Sequence, residues 1–138
     1  DAAGTYPIQE QEHGQDKFDL RGVFEADADG VFYYTTVLPK PYTVPYDGPV
    51  GDLLRAGNRH AWRPAHFHYI VKAPGMSAIT TEVFFENSEY VDNDAVFGVR
   101  KSLIAKVEPV KNIDQLGYNL DKKPDAICTF DFVLAPDG

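Results

Sequence analysis

At 138 residues the chain is one domain's worth of polypeptide, enough to bury roughly two thirds of its unfolded surface. With 43% hydrophobic and 25% charged residues it has the composition of a soluble globular protein, without the roughly 20-residue apolar run of a membrane span and without a signal-peptide pattern. A net charge of −8 argues against nucleic acid and anionic membrane surfaces, and the single Cys128 excludes an internal disulfide framework and fits a reducing, cytoplasmic compartment.

Asp1 to Tyr6 reads as the end of one element and the start of a loop, which suggests that Asp1 is not the natural start of the protein. Phe18 to Glu25 alternates partially with period 2, Asp27-Ala28-Asp29-Gly30 is a turn signal, and Val31 to Val37 reads as the partner strand of a hairpin. From Pro39 to Pro49 four prolines exclude a helix interior and a central strand. Pro49 to Arg55 predicts a short helix, with Val50, Leu53 and Leu54 on one side. Ala65 to Lys72 predicts a strand, Ala73-Pro74-Gly75-Met76 a turn, and Ala78 to Phe85 a second strand, so a second hairpin. Glu86 to Asp94 is polar and loop-like. One helical turn is expected around Arg100 to Ile104, and Glu108 to Pro124 reads as an irregular surface excursion. Ala126 to Leu134 reads as a closing strand with Cys128 buried and inert. The fold class is therefore all-β, a β-sandwich of mixed topology with proline-rich loops and little helix.

The chemistry concentrates in Arg63-Pro64-Ala65-His66-Phe67-His68. On a strand, residues i and i+2 share a face, so His66 and His68 present two imidazoles to one cation. A single strand histidine is more often a surface or hydrogen-bonded core residue; the same-face pair is what raises the metal reading. Of the eight tyrosines, Tyr33 and Tyr34 fall in the hairpin and read as packing residues, whereas Tyr42 and Tyr6 lie in irregular stretches beside proline or glycine. Phenolate is a hard anion that favours Fe(III) over Zn(II), and the cysteine pairs of a structural zinc site are missing. Two neutral imidazoles, two phenolates and a hydroxide leave Fe(III) electrically neutral, a balance suited to binding a dianionic catecholate. Arg63 is either a surface salt-bridge residue or a guanidinium that stabilises negative charge on a bound ring. Glu82, opposite the histidine strand, either faces solvent or reaches the outer environment of the metal.

These residues carry a resemblance. The run from Tyr42 through Asp47-Gly48-Pro49 to Arg63-Pro64-Ala65-His66-Phe67-His68, with Gly4-Thr5-Tyr6, resembles the core of the intradiol ring-cleavage dioxygenases. Ala73-Pro74-Gly75 and Asp94-Ala95-Val96-Phe97-Gly98-Val99 are similar to the hydroxyquinol branch of that family, with catechol and chlorocatechol enzymes next, and the likeness runs from Asp1 to Leu134. It implies non-haem Fe(III) held by Tyr6, Tyr42, His66 and His68, with Tyr42 and His68 axial and Tyr42 displaced by substrate. It also implies catalytic roles for Tyr42 and Arg63, and a substrate pocket formed by Arg63, Glu82, Ala95, Val96 and Phe97. The implied reaction uses O2 to convert hydroxyquinol to maleylacetate or a catechol to a cis,cis-muconate. The family often has glutamine at the position of Glu82. Its members also carry an N-terminal helical dimerisation region and first sandwich strands, so residues 1–138 are expected to form the C-terminal part of one catalytic domain, in a homodimer joined through residues absent from this chain. The alternative is a non-catalytic β-sandwich binding module derived from the same scaffold.

Overall fold

The computed structural model describes Gly4, residues 19–112 and residues 122–138, in two compact units, Asp1–Lys40 and Pro41–Gly138. The described residues are mostly strand and loop with little helix, as the sequence predicts, and no helix among them is long and apolar enough to cross a membrane.

In the first unit the predicted turn is present but the ladder is not. Gly30 adopts φ +79°, the Asp27 amide donates to the Val31 carbonyl at 2.9 Å, and the Asp27 carboxylate accepts the Asp29 and Val31 amides. Phe24 and Tyr34 stack across it with ring centroids 4.6 Å apart. No strand is assigned within residues 19–40. An isolated two-stranded pairing is marginal in water, and most of this segment is exposed.

The second unit contains three sheets. β1 (Tyr42–Thr43) pairs antiparallel with β2 (Trp62–Arg63). Between them lies α1 (Pro49–Ala56), which starts on extended Gly48 with Pro49 in the first turn, where proline's missing N–H costs nothing. Its Gly51 packs against the Tyr46 carbonyl so closely that a Cβ would overlap it, and Arg55 Nη1 donates to that same carbonyl at 3.0 Å. The apolar side expected to bury α1 does not: Val50 and Leu53 are exposed.

β3 (His66–Ala73) and β4 (Met76–Phe85) form the predicted antiparallel hairpin, and β5 (Ile104–Ala105) joins β4 in parallel. Pro74 and Gly75 make the turn, with Gly75 at φ +71°, the conformation that the third position of a type II turn requires. β4 is the central strand. Its last three residues, Val83, Phe84 and Phe85, are buried on both faces and centre a core that includes Pro64, Ala65 and Ala105. The turn expected near Arg100 is a 3-10 turn at Lys101–Leu103.

β6 (Val107–Pro109) and β7 (Ala126–Cys128) pair antiparallel. Strand therefore enters what reads as an irregular excursion, while residues 113–121 of that stretch lie outside the described residues. The closing strand is shorter than predicted and stops at Cys128, whose side chain is exposed rather than buried. With Ile127 turned inward, the period-2 alternation leaves Cys128 on the outer face.

Gly51→Ala should destabilise the protein by about 1–3 kcal/mol, because the new methyl must displace backbone. A urea midpoint unchanged from wild type would show that α1 adjusts freely.

Candidate metal centre

The period-2 geometry of β3 delivers what the sequence predicts: His66 and His68 lie on one face with ring centroids 4.9 Å apart. Register fixes their neighbours. His66 pairs with Phe84 and His68 pairs with Glu82, so the Glu82 carboxylate stands on the histidine face. Its Oε1 lies 3.6 Å from His66 Nε2 and 3.6 Å from His68 Nδ1. The three residues offer donor atoms all within 4.8 Å of one another, spacing suited to one metal ion.

His66 is oriented by its own backbone. Its Nδ1 lies 2.8 Å from the Pro64 carbonyl, which can only accept, so Nδ1 carries the proton and Nε2 keeps its lone pair toward the cluster. Burial pushes the His66 pKa down, and the Pro64 hydrogen bond and nearby Glu82 only partly oppose it. The imidazole is thus neutral at pH 7, the form that binds metal. His68 is more open, with half its side chain accessible.

Arg63 organises the site. It is buried, and β1–β2 pairing sets it opposite Tyr42. Nη1 and Nη2 donate to the two Glu82 oxygens at 3.0 and 2.7 Å, while Nε and Nη2 donate to the two Asp94 oxygens at 3.1 Å each. The remaining Nη1 hydrogen faces the Tyr42 hydroxyl at 3.5 Å and His66 Nε2 at 3.4 Å. All five N–H donors of the guanidinium therefore have acceptors. Burial alone would lower the Arg63 pKa, but its hydrogen bonds to Glu82, Asp94 and Tyr42 win, and the charge is held firmly. The surface salt-bridge alternative is excluded by this burial. Glu82 is held below the usual carboxylate range first by its Arg63 hydrogen bond, against its own desolvation. Asp94 is also held low: desolvation would raise it, but Arg63 and the Val96 and Gly98 amides outweigh that.

Asp94 is the residue that sequence reading missed. In the sequence it ends a polar loop and opens the Asp94-Ala95-Val96-Phe97-Gly98-Val99 stretch with no role of its own, yet its carboxylate folds the following segment by accepting the Val96 and Gly98 amides at 3.3 and 2.9 Å. That tight turn leaves Phe97 at φ +57° under Arg59, whose guanidinium carbon sits 3.8 Å from the ring centroid. Gly98 follows because a Cβ there would come within 2.8 Å of Arg63 Nη2.

A cleft of about 520 Å³ opens on the histidine face and is lined by His68, Thr80, Glu82, Gly98, Arg100 and Leu103, together with Thr81. Ala95, Val96 and Phe97, expected at the pocket mouth, are not among its lining residues. Ala95 is buried, its amide donating to the Trp62 carbonyl, and Phe97 points outward against Arg59. Tyr42 stands beside His66, its ring centroid 5.6 Å away. Tyr6 lies outside the described residues.

The β3–β4 hairpin carries the two histidines and Glu82, and the β1–β2 pair brings Tyr42 and Arg63 beside them, a donor set with the spacing to hold a metal ion. Comparison with known proteins gives the family. The model of the Dioxygenase family (Dioxygenase_C) matches residues 1–136, and the chain belongs to that family. It is 46% identical over 136 residues to the 6-chlorohydroxyquinol 1,2-dioxygenase of Cupriavidus pinatubonensis, covering 99% of this chain and 45% of that protein. It is also 46% identical over 118 residues to the hydroxyquinol 1,2-dioxygenase of a Rhizobium species, covering 83% of this chain and 40% of the relative. Among solved structures, hydroxyquinol 1,2-dioxygenase from Pseudomonas putida matches with TM-score 0.82 and 40% identity, over 94% of this chain and 46% of that one. The 3-chlorocatechol 1,2-dioxygenase of Rhodococcus opacus matches with TM-score 0.83 and 31% identity, over 99% of this chain and 50% of that one. The intradiol resemblance read from the motifs is thus borne out. The chain spans about half the length of these relatives.

Removing the arginine charge strands two carboxylates. Arg63→Gln should cost about 3–5 kcal/mol of unfolding free energy, the range for breaking a buried ion pair. A loss under 1 kcal/mol in urea titration would mean that the cluster contributes little to the fold. Because Asp94 and Glu82 have lowered folded pKa values, their contribution is complete above the ordinary carboxylate range, about pH 4, and is lost as pH falls through those lowered values. The stability gap between wild type and Asp94→Asn should therefore shrink below about pH 4. A gap independent of pH would rule out the ionised pair as its origin.

Proposed function

We propose that the chain is the C-terminal part of the β-sandwich catalytic domain of a non-haem Fe(III) intradiol dioxygenase, with hydroxyquinol or a catechol as substrate. The observation that carries this reading is the clustering of His66, His68 and Tyr42, with the Pro64 hydrogen bond leaving His66 Nε2 as an acceptor on the Glu82 side. The donor set suits iron: His66 and His68 supply neutral nitrogen and Tyr42 a phenolate. Tyr6 supplies the second phenolate on the strength of the Gly4-Thr5-Tyr6 motif. The names of the relatives, hydroxyquinol and 6-chlorohydroxyquinol 1,2-dioxygenases, support the substrate class.

Bound iron would supply the chemistry that lets a chelated diol react with O2. The protein's own groups do the rest. Tyr42, on the short strand β1, would be one of the residues that hold the iron, and its oxygen, beside Arg63 Nη1, would take a proton from the incoming diol. Arg63 holds its guanidinium beside Tyr42 and His66, where it stabilises negative charge on the bound ring and on the Tyr42 oxygen. Asp94 and Glu82 hold that guanidinium in one orientation, so it need not reorganise as charge develops. Ring opening would yield maleylacetate from hydroxyquinol or cis,cis-muconate from catechol. Homodimerisation through residues outside this chain and a cytoplasmic location complete the proposal.

Purified enzyme given hydroxyquinol should consume one O2 per ring opened, with catechol as the slower alternative. His68→Ala should lose iron and turnover together. An active, fully metallated His68→Ala variant, or diol consumption without O2 uptake, would refute the assignment. Tyr42→Phe should retain iron with altered colour and slower substrate binding, and unchanged colour and turnover would remove Tyr42 from the site.

A further inference from the structure

We propose that the centre has a second, divalent mode in which Glu82 is a direct metal ligand with His66 and His68. The proposal rests on His66 and His68 being the metal pair, as above, and on neither tyrosine.

Three observations carry it. The first is distance. Donors sharing a tetrahedral sphere with bonds of about 2.1 Å stand about 3.4 Å apart. Glu82 Oε1 is 3.6 Å from each imidazole nitrogen and all three donors lie within 4.8 Å of one another, so a cation among them needs the imidazoles to close toward it by side-chain rotation alone. The second is orientation. Cross-strand register puts Glu82 directly opposite His68, and two Arg63 hydrogen bonds fix the carboxylate. A carboxylate oxygen has two lone pairs, so Oε1 can accept from Arg63 and still donate to a metal; a hydrogen-bonded ligand carboxylate is the usual arrangement around protein metals. The third is charge. Asp94 and Glu82 share the single Arg63 guanidinium, two carboxylates to one cation, which leaves one negative charge over in a largely buried cluster. A glutamine at this position would leave the cluster neutral. A surplus negative charge opposes a dianionic diolate but stabilises a divalent cation.

Two imidazoles and one carboxylate on one side of an ion leave its other positions open, the ligand set typical of divalent non-haem iron and also accessible to cobalt or zinc. Divalent ions should accordingly compete with ferric iron for the His66–His68 pair, and Glu82 should set the strength of that competition.

The test is a Co(II) titration of the metal-free full chain, followed by visible absorption. Wild type should bind one Co(II) with resolved d–d bands, and Glu82→Gln should bind at least about 10-fold more weakly with altered bands. Glu82→Asp should recover part of the affinity. Equal affinity and identical bands in wild type and Glu82→Gln would overturn the proposal. A second readout uses wild type alone: proton NMR of the Co(II) form should show hyperfine-shifted γ-methylene resonances from one glutamate, and their absence would equally overturn it. His68→Ala should abolish Co(II) binding. Co(II) bound through Glu82 in a protein that shows no phenolate band with Fe(III) would sink the ferric reading and leave this one standing.

Discussion

One guanidinium holds this structure's chemistry in place. Arg63 is buried between Glu82 of the central strand and Asp94 of the following loop, and each of its donors has an acceptor. Burying a charge in this way costs heavily unless every hydrogen bond is made. The requirement propagates outward. It demands a carboxylate opposite His68, an aspartate that folds its own loop, and a glycine at 98 because no side chain fits against the guanidinium. The same group faces Tyr42 and His66, so the fold's most demanding electrostatic contact also defines the proposed metal site.

The sheet and the site are two uses of one register. β4 is buried through Val83 to Phe85, and that burial fixes its pairing with β3. A slip of one residue would send His66 and His68 to the other face and carry the buried set out of the core. The Pro64 carbonyl then selects the histidine tautomer. Hydrophobic burial thus sets which face carries the donors, and one backbone hydrogen bond sets which nitrogen is the acceptor turned toward the cluster.

The parts legible in the sequence were those with short-range causes. The i, i+2 histidines needed only strand periodicity, the Pro74-Gly75 hairpin only turn chemistry, and helix α1 only its proline start. The parts not legible depend on contacts distant in the chain. Asp94 lies 31 residues from Arg63, and nothing local marks it as a partner. The stacking of Phe97 under Arg59 likewise depends on the turn that Asp94 folds. Gly98 and Arg100, on the cleft beside His68, carry no local mark of that position. The Val31–Val37 strand had the right composition, yet it carries no assigned ladder, since alternation cannot report whether a sheet partner is available. Cys128 went wrong by one residue of phase. The family motif found the site's chemistry but said nothing of the ion network behind it, because that network is assembled by tertiary packing.

The central claim is that His66, His68 and tyrosine phenolate hold ferric iron open to a diol. The visible spectrum of the iron-loaded protein, before and after anaerobic addition of hydroxyquinol, tests it most directly. A broad phenolate-to-iron band that shifts when the diol is added is the predicted result. A protein that stays colourless after reconstitution with iron would contradict the claim.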